Sequence, residues 1–214
     1  MKLYSYWRSS AAYRVRIALN LKGLAHEIVP IHLVRDGGEQ HGAAYRSLNP
    51  AELVPTLVDG DLRLGQSLAI IDYLDDQQPE PPLLPAEPLR RAHALQAALT
   101  VACEIHPLNN LRALQRLESQ FGADKDQKNG WYAHWILTGF GALELLAEEY
   151  AAEGPYFMGR AISVADVCLV PQIYNARRFE ISLSRFPRLE AIDAACAELE
   201  AFQAAAPEAQ PDAA

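Results

Sequence analysis

The residues with the clearest chemical potential lie at the start of a predicted helix, in the stretch SSAAYRVRIALNLKG. Ser9 and Ser10 stand at its N-terminus, where backbone amides and the positive end of the helix dipole stabilise a thiolate. A serine attacks poorly without a base, and no His or Asp lies nearby in the sequence. The pattern therefore favours hydroxyls that donate hydrogen bonds to a thiolate. The alternative is a serine that only caps the helix.

Two further motifs are suited to an extended ligand that carries carboxylates. In VPTL, the Val54–Pro55 bond directly before a strand can be cis and leave the backbone of Val54 exposed to such a ligand. A plain trans proline at a strand start is the alternative. In GQSLAII, Gln66 precedes Ser67, a natural helix N-cap, and helix amides attract carboxylates. A cap that binds no ligand is the alternative.

Composition limits the classes of partner. The formal net charge of −8 argues against nucleic acid or an anionic membrane as the main partner. No stretch approaches the roughly 20 apolar residues that span a bilayer, and the N-terminal KLYSYW lacks the pattern of a signal peptide. We therefore expect a cytoplasmic protein.

The three cysteines predict neither a disulfide framework nor a metal site. Cys103, Cys168 and Cys196 are widely spaced among apolar residues, so we expect buried free thiols in a reducing compartment. No spacing of Cys and His is typical of zinc, and no metal is expected.

The elements that must position these residues fall into two parts. Over residues 1–78 the order is strand, helix, strand, loop, hairpin and helix; the first helix ends at Gly23, and Pro30 indicates an edge strand. The proline-rich segment 79–88 predicts a stiff linker. Residues 89–203 predict helices, with a break at Pro107 and a capping box in SVAD, residues 163–166. The small, polar residues 204–214 predict a loose tail.

Together these features resemble a glutathione transferase, a thioredoxin-like α/β domain followed by an all-helical bundle. The stretch SSAAYRVRIAL is similar to the zeta-class signature S-S-C-x-W-R-V-R-I-A-L, that of the maleylacetoacetate isomerase family. The resemblance extends over nearly the whole chain, through NPAELVPTL, QSLAIIDYL, PLNNLRAL and SVADVCLVPQIYNARRF. Where the family has cysteine this chain has Ala11, and Tyr13 replaces its Trp. The protein thus supplies no thiol there, which favours glutathione as the sulfur nucleophile and puts thiol-transfer side activities in doubt.

The resemblance implies a role for each matching position. Ser9 would donate to the glutathione sulfur, with Ser10 as a secondary polar neighbour. The glutathione ligands implied are Val54 and Pro55 for the cysteinyl backbone, Gln66 and Ser67 for the γ-glutamyl group, Gln40 for the glycyl end, and His106 and Asn110 in the helical domain. His106 is equally compatible with a structural role at the proline kink.

Arginines are implied as ligands of the family's substrates, which are dianionic keto acids with a cis double bond. Guanidinium groups pair bidentately with carboxylates. The implied substrate ligands are Arg8, Arg112 and Arg178. Arg177 is the neighbouring alternative to Arg178, which we prefer because it is the arginine followed by phenylalanine that matches the family pattern. Arg14 and Arg16 are assigned to salt bridges of the fold or dimer.

The function implied is glutathione-dependent cis–trans isomerisation of maleylacetoacetate to fumarylacetoacetate, in the catabolism of tyrosine and phenylalanine. Glutathione would act as the cofactor and the protein would be a homodimer. Three alternatives stay open: a maleylpyruvate isomerase of the gentisate pathway, a transferase acting on α-halo acids, and a non-catalytic interaction module. The presence of Ser9, Pro55, Gln66 and Ser67 argues against the last.

Overall fold

The chain divides into two units in the computed structural model, which describes residues 1–150 and 154–213. The first unit comprises Met1–Leu83 together with Ala197–Ala214, and the second comprises Leu84–Cys196. The expected divisions at 78, 88 and 203 differ from these bounds. The differences arise at the proline-rich segment and at the C-terminus.

A four-stranded sheet forms the centre of the first unit, in the order β2-β1-β3-β4. Its strands are β1 (Lys2–Ser5), β2 (Glu27–Pro30), β3 (Thr56–Asp59) and β4 (Leu62–Gly65). β1 runs parallel to β2 and antiparallel to β3, and β3 forms the predicted hairpin with β4. The edge position expected of the strand that contains Pro30 is confirmed, because β2 pairs with β1 alone in this order. An edge tolerates the missing amide of proline.

Helices cover the sheet and fill the connections. They are α1 (Ser10–Leu21), α2 (Ala43–Leu48) and α3 (Ser67–Gln77). α1 buries both apolar and polar side chains, and Gly23 follows it at φ 63°, a left-handed conformation suited to glycine. The sequence did not predict α2, a short helix within the expected loop.

Part of the proline-rich segment belongs to the first unit because a buried lysine holds it. The ammonium group of Lys22 donates hydrogen bonds to the carbonyls of Gln78 (2.7 Å) and Pro81 (2.5 Å) and pairs with Asp75. Asp75 also accepts a hydrogen bond from the Leu83 amide at 2.8 Å. The segment is therefore anchored as far as Leu83.

The C-terminal residues pack on the first unit, so the expectation of a loose tail is wrong for residues 204–213. Helix α10 (Glu200–Ala205) packs against α1. The side chain of Gln210, 8% exposed, donates to the carbonyls of Ala204 and Ala206. A run of small and polar residues is typical of a loose tail. Small side chains also allow the backbone to pack closely on a complementary surface, as it does here.

One buried arginine connects this C-terminal helix to the end of β1. Arg16 is 1% exposed. It donates from Nε to the Ala205 carbonyl (2.9 Å), and from its terminal nitrogens to Ser5 Oγ and the Trp7 carbonyl (both 3.1 Å). Arg16 thus serves the interior of this unit through hydrogen bonds to neutral oxygens, whereas the sequence analysis assigned it to a salt bridge.

The second unit is helical. Its helices are α4 (Pro88–Leu99), α5 (His106–Asn109), α6 (Leu111–Phe121), α7 (Lys125–Tyr150), α8 (Val164–Arg178) and α9 (Pro187–Ala197). A π-helical turn, Thr100–Ile105, joins α4 to α5, and Pro107 lies in the first turn of α5. None of the helices in the described part of the chain is long and apolar enough to cross a membrane.

The cysteines are only partly as expected. Cys168 and Cys196 are buried, whereas Cys103 is exposed. Cys103 lies within the π-helical turn, which inserts an extra residue and shifts the buried face of the helix.

The capping box predicted at SVAD is confirmed at the start of α8. Ser163 is the N-cap, and its side chain and that of Asp166 bond reciprocally to the helix terminus. Asp166 accepts from the amides of Phe157 (2.7 Å) and Ser163 (2.8 Å) and from the Ser163 hydroxyl (3.1 Å). Burial raises the pKa of Asp166 to about 6, although these hydrogen bonds lower it.

Asp166→Ala is expected to lower the free energy of unfolding by about 2 kcal/mol at pH 7.5, because the buried donors lose their acceptor. The deficit should be about 1 kcal/mol larger at pH 5. The folded state takes up a proton as the pH falls through about 6, whereas the unfolded carboxyl stays ionised until nearer its ordinary value of 3.8. Urea titrations at both pH values measure this. Asp126→Ala in the first turn of α7 is the control, and a deficit that shrinks at pH 5 contradicts the prediction.

Candidate active site

The sheet register brings the predicted motifs of the first unit to one edge. Tyr4 near the end of β1 pairs with Thr56 at the start of β3, and Thr56 pairs with Gly65 at the end of β4. β2 also ends at this edge, because Ser5 pairs with Pro30 in the parallel ladder. The segments that follow β1, β2 and β4 therefore start at this end of the sheet. They lie next to the segment that leads into β3.

Ser9 lies at this edge as the N-cap of α1. Its backbone is extended (φ −73°, ψ 113°), and its Oγ accepts a hydrogen bond from the Ala12 amide at 3.2 Å. The Ser9 amide donates to the Tyr6 carbonyl at 2.8 Å, which closes the turn after β1. Capping uses a lone pair of the hydroxyl, so its hydrogen can still be donated to an anion at the helix start.

The second serine has a different environment. Ser10 is 6% exposed and is the first residue of α1, and Ala11 is 9% exposed. Ser10 therefore points into the unit more than Ser9, which is half-buried.

Arg8 precedes this helix and extends outward. It lies three residues beyond the end of β1, which stops at Ser5. Its guanidinium lies 4.1 Å from the centre of the buried Trp7 ring, a cation–π contact, and the arginine itself is exposed. The Trp7 amide in turn donates to Asp212 Oδ2 at 3.1 Å, so the C-terminal segment supports the approach to Ser9.

The segment before β3 has the cis geometry that the sequence left open. The Val54–Pro55 bond is cis, and both residues precede the first ladder residue, Thr56. The Leu53 carbonyl accepts from the Tyr45 hydroxyl (2.6 Å) and from the Asn49 amide group (2.8 Å). These bonds fix the backbone beside Val54.

The start of α3 differs in one residue from the sequence prediction. Gln66, not Ser67, occupies the N-cap position, with φ 64°. Such positive φ in a non-glycine residue is uncommon and is concentrated at functional sites. Ser67 is the first helical residue, and its Oγ accepts from Arg14 Nη1 at 3.2 Å. Arg14 is 1% exposed, so it holds the Ser67 hydroxyl from inside the unit.

Gln40 lies in the loop after β2 and is 8% exposed. Its Nε2 donates to the Leu33 carbonyl (3.4 Å) and lies 3.0 Å from His41 Nε2. Its Oε1 has no hydrogen-bond partner among the described residues. A buried acceptor of this kind is rare in a folded protein, and it is suited to a ligand donor.

In the second unit, the side chains of His106 and Asn110 lie close together, although Asn110 follows the end of α5 and does not share a helix with His106. His106 Nε2 lies 3.3 Å from Asn110 Nδ2. Asn110 is also the N-cap of α6, and its Oδ1 accepts from the Arg112 amide at 3.2 Å. The π-helical turn ends one residue before His106, and such turns are frequent at functional sites. The side chain of Arg112 is exposed.

The two arginines at the end of α8 have different partners. Arg177 Nη1 forms an ion pair with Asp193 Oδ2 at 2.5 Å. Arg178 lies over the Phe179 ring, with its guanidinium 4.9 Å from the ring centre. Burial raises the pKa of the Tyr132 phenol, and the nearby Arg178 guanidinium acts in the opposite direction and lowers it. Arg177 thus has a structural partner, and Arg178 is the arginine more available to a ligand.

Sequence reasoning missed two contacts that contribute to these arrangements. The direct contact of Arg14 with Ser67 spans the first unit, and that of Tyr132 with Arg178 spans two helices of the second. Spacing of 53 residues in the first case leaves no periodic signal. An arginine within the apolar face of α1 was the available signal for Arg14.

Comparison with known proteins agrees with the geometry. Residues 3–82 match the family model described as the glutathione S-transferase N-terminal domain. A probable maleylacetoacetate isomerase of Vibrio cholerae is 54% identical over 99% of this chain and 97% of its own length. A bacterial zeta-class maleylpyruvate isomerase, solved in its holo form, is 47% identical, with each chain covered fully (100%) and a TM-score of 0.97.

A third relative is described with ligands bound. It is the maleylacetoacetate isomerase of Methylobacterium extorquens AM1, solved with malonate and glutathione, and it is 40% identical with a TM-score of 0.95 and 100% coverage of both chains. These matches extend over both units and include the motifs at the sheet edge. The chain therefore belongs to the zeta-class glutathione transferases, the family of the maleylacetoacetate and maleylpyruvate isomerases.

Proposed function

We propose that this protein is a glutathione-dependent isomerase that converts maleylacetoacetate to fumarylacetoacetate in the catabolism of tyrosine and phenylalanine. The main support is the convergence of Ser9, Val54 and the Gln66–Ser67 pair at one sheet edge. The similarity to the Vibrio cholerae relative, at 54% identity, agrees with this proposal.

The residues at the edge fit a tripeptide with an anionic sulfur and carboxylate ends. Two helices of the first unit begin there, with Ser9 and Gln66 as their N-caps, and helix N-termini favour anions. The unsatisfied Oε1 of Gln40 offers a buried acceptor to an N–H group. When bound, glutathione supplies a thiolate that adds to the cis double bond, permits rotation about it, and leaves again.

Ser9 is the residue that holds the sulfur in this proposal. Its hydroxyl hydrogen and the amides of the first turn of α1 lower the cost of the negative charge. Ser10, being buried, acts only as a polar neighbour. Because Ala11 stands in place of the family's cysteine, the chain presents no competing sulfur at that position.

The remaining ligands keep the roles implied by the family resemblance. Val54 and Pro55 hold the cysteinyl backbone, Gln66 and Ser67 the γ-glutamyl group, and Gln40 the glycyl end. In the second unit, His106 and Asn110 are proposed to contact glutathione, and Arg112 and Arg178 the substrate carboxylates. Arg8 of the first unit is the third proposed carboxylate ligand. The malonate bound in the Methylobacterium extorquens relative is a dicarboxylate, which agrees with a dianionic substrate.

Ser67→Ala is expected to raise the glutathione Kd about tenfold, because a hydrogen bond to a charged group is lost. Titration calorimetry measures the Kd. Ser47→Ala is the matched control, since the Ser47 hydroxyl donates only to the Ala44 carbonyl on an exposed helix. A glutathione Kd for Ser67→Ala within twofold of the wild-type value would exclude Ser67 from the binding site.

The proposed activity is tested by following isomerisation of maleylacetoacetate with and without glutathione. Turnover that requires glutathione is the expected result. Turnover that persists after exhaustive dialysis, or none in its presence, contradicts the proposal.

Maleylpyruvate is a second candidate substrate. It is favoured by the zeta-class maleylpyruvate isomerase that matches this chain with a TM-score of 0.97. Both substrates need the same carboxylate and sulfur ligands, so the ratio of their kcat/KM values decides between them.

A homodimer and a cytoplasmic location complete the proposal, and both rest on the family resemblance. Analytical ultracentrifugation tests the first, since a single species at the monomer mass of 23.6 kDa would contradict it. Fractionation of cells that express the protein tests the second.

A further inference from the structure

Arg178 shares the Phe179 ring with a buried tyrosine that no sequence motif singled out, and its guanidinium acts on the phenol of that tyrosine. Tyr132 lies in α7 and is 3% exposed. Its ring stacks on Phe179 with the centres 3.8 Å apart and an interplanar angle of 18°. The Arg178 guanidinium lies by the same Phe179 ring. Tyr132, Phe179 and Arg178 therefore form one packed group.

A hydrogen bond also holds the backbone of Tyr132. Asn109, 7% exposed, donates from Nδ2 to the Tyr132 carbonyl at 3.2 Å. Asn109 ends helix α5, which begins with His106, and the next residue is Asn110. Tyr132 thus connects the His106–Asn110 pair to Arg178 within the second unit.

We propose that Tyr132 is a positioning residue that holds Arg178 ready for a substrate carboxylate and so sets the affinity for dicarboxylates. This inference rests on the proposed function. A free arginine side chain loses about 2 kcal/mol of rotamer entropy when a ligand orders it. A guanidinium that is already held avoids part of that loss, which is the usual gain from preorganisation.

The chemistry of the two groups permits both contacts at once. A guanidinium has five N–H donors, so one can bond to the phenol oxygen while others face a carboxylate. Burial raises the pKa of Tyr132 to about 12, and the phenol therefore stays neutral at working pH. A neutral phenol orients Arg178 without cancelling its charge. Arg177 is not an equivalent ligand, because Asp193 already neutralises it.

Tyr132→Phe removes the hydroxyl and keeps the stacked ring. We expect the KM for maleylacetoacetate and the Kd for malonate, measured by calorimetry with glutathione present, to rise about tenfold, the size of one hydrogen bond to a charged group. The KM for glutathione and kcat should change less than about twofold. Tyr73→Phe is the matched control, since it removes a phenol hydroxyl that bonds to Asp59 in the first unit. An unchanged malonate Kd overturns the inference.

A double-mutant cycle tests whether Tyr132 acts through Arg178. In an Arg178→Met background, adding Tyr132→Phe should leave the malonate Kd unchanged. A further tenfold rise there would contradict the proposed route. The malonate Kd can be measured without turnover. A wild-type protein without isomerase activity would therefore refute the proposed function, and the cycle would still report on the coupling between Tyr132 and Arg178.

A measurement on the unaltered protein covers the case in which Tyr132→Phe fails to fold. Without ligand, NMR should show hindered rotation of the Arg178 guanidinium and free rotation of that of Arg185, which is exposed. Equal, free rotation of both would overturn the inference.

Discussion

Ser9→Ala should lower kcat for isomerisation by about 100- to 1,000-fold, the usual effect of removing one hydrogen-bond donor that stabilises an anion in an active site. The hydroxyl hydrogen of Ser9 is the side-chain donor at the start of α1, whereas its oxygen lone pair caps the helix. The substitution removes both functions. Thiolate absorbance of bound glutathione, followed against pH, should show that the sulfur ionises at a higher pH in the variant.

Two companion variants separate the chemical role from the cap. Ser9→Gly loses the hydroxyl but costs only a few tenths of a kcal/mol as an N-cap, so it should be as inactive as Ser9→Ala and more stable. Ser9→Thr restores a hydroxyl and should recover part of the activity. Ser10→Ala should have a smaller effect than Ser9→Ala, because Ser10 is buried. Full isomerase activity in Ser9→Ala would remove Ser9 from the mechanism.

Arg16→Met should destabilise the first unit by about 2 to 5 kcal/mol, because several buried oxygens lose their hydrogen-bond donor. The carbonyls of Trp7 and Ala205 would lose a buried charged donor, and each unsatisfied group costs about 1 to 3 kcal/mol. Chemical denaturation followed by tryptophan fluorescence measures the change.

Two controls accompany this variant. Arg63→Met on β4 removes an exposed arginine and should shift the free energy of unfolding by less than about 0.5 kcal/mol. Arg16→Lys keeps the charge but lacks the planar guanidinium with its several donors. Its loss in free energy of unfolding should therefore lie between those of Arg16→Met and Arg63→Met. A wild-type midpoint for Arg16→Met would show that the buried contacts contribute nothing net.

Local patterns were sufficient to predict most of the elements. The turn between β3 and β4, the Ser9 cap and the Ser163–Asp166 box depend on residues a few positions apart, so the sequence carries them directly. The edge position of β2 followed from one proline. The family resemblance added the roles at the sheet edge, which periodicity alone does not give.

The wrong predictions have physical causes of another kind. Cys103 was expected to be buried because its neighbours are apolar, but the π-helical turn moves it off the buried face. The N-cap of α3 is Gln66 and not Ser67, because Gln66 has a positive φ and Ser67 is already helical. The contact of Tyr132 with Arg178 joins two helices distant in sequence, and only the fold brings them together.

The segments that precede and follow Leu84–Cys196 belong to one unit, and this has a consequence for synthesis on the ribosome. The segment Leu84–Cys196 is one continuous stretch of the chain and forms the second unit by itself. The N-terminal strands and Ser9 emerge earlier, yet Arg16 lacks its acceptor at Ala205, and Trp7 its acceptor at Asp212, until those two residues have been translated. A nascent chain that has not reached these residues therefore lacks two contacts that support the segment before Ser9, and that end of the sheet is completed only after the helical segment has been made.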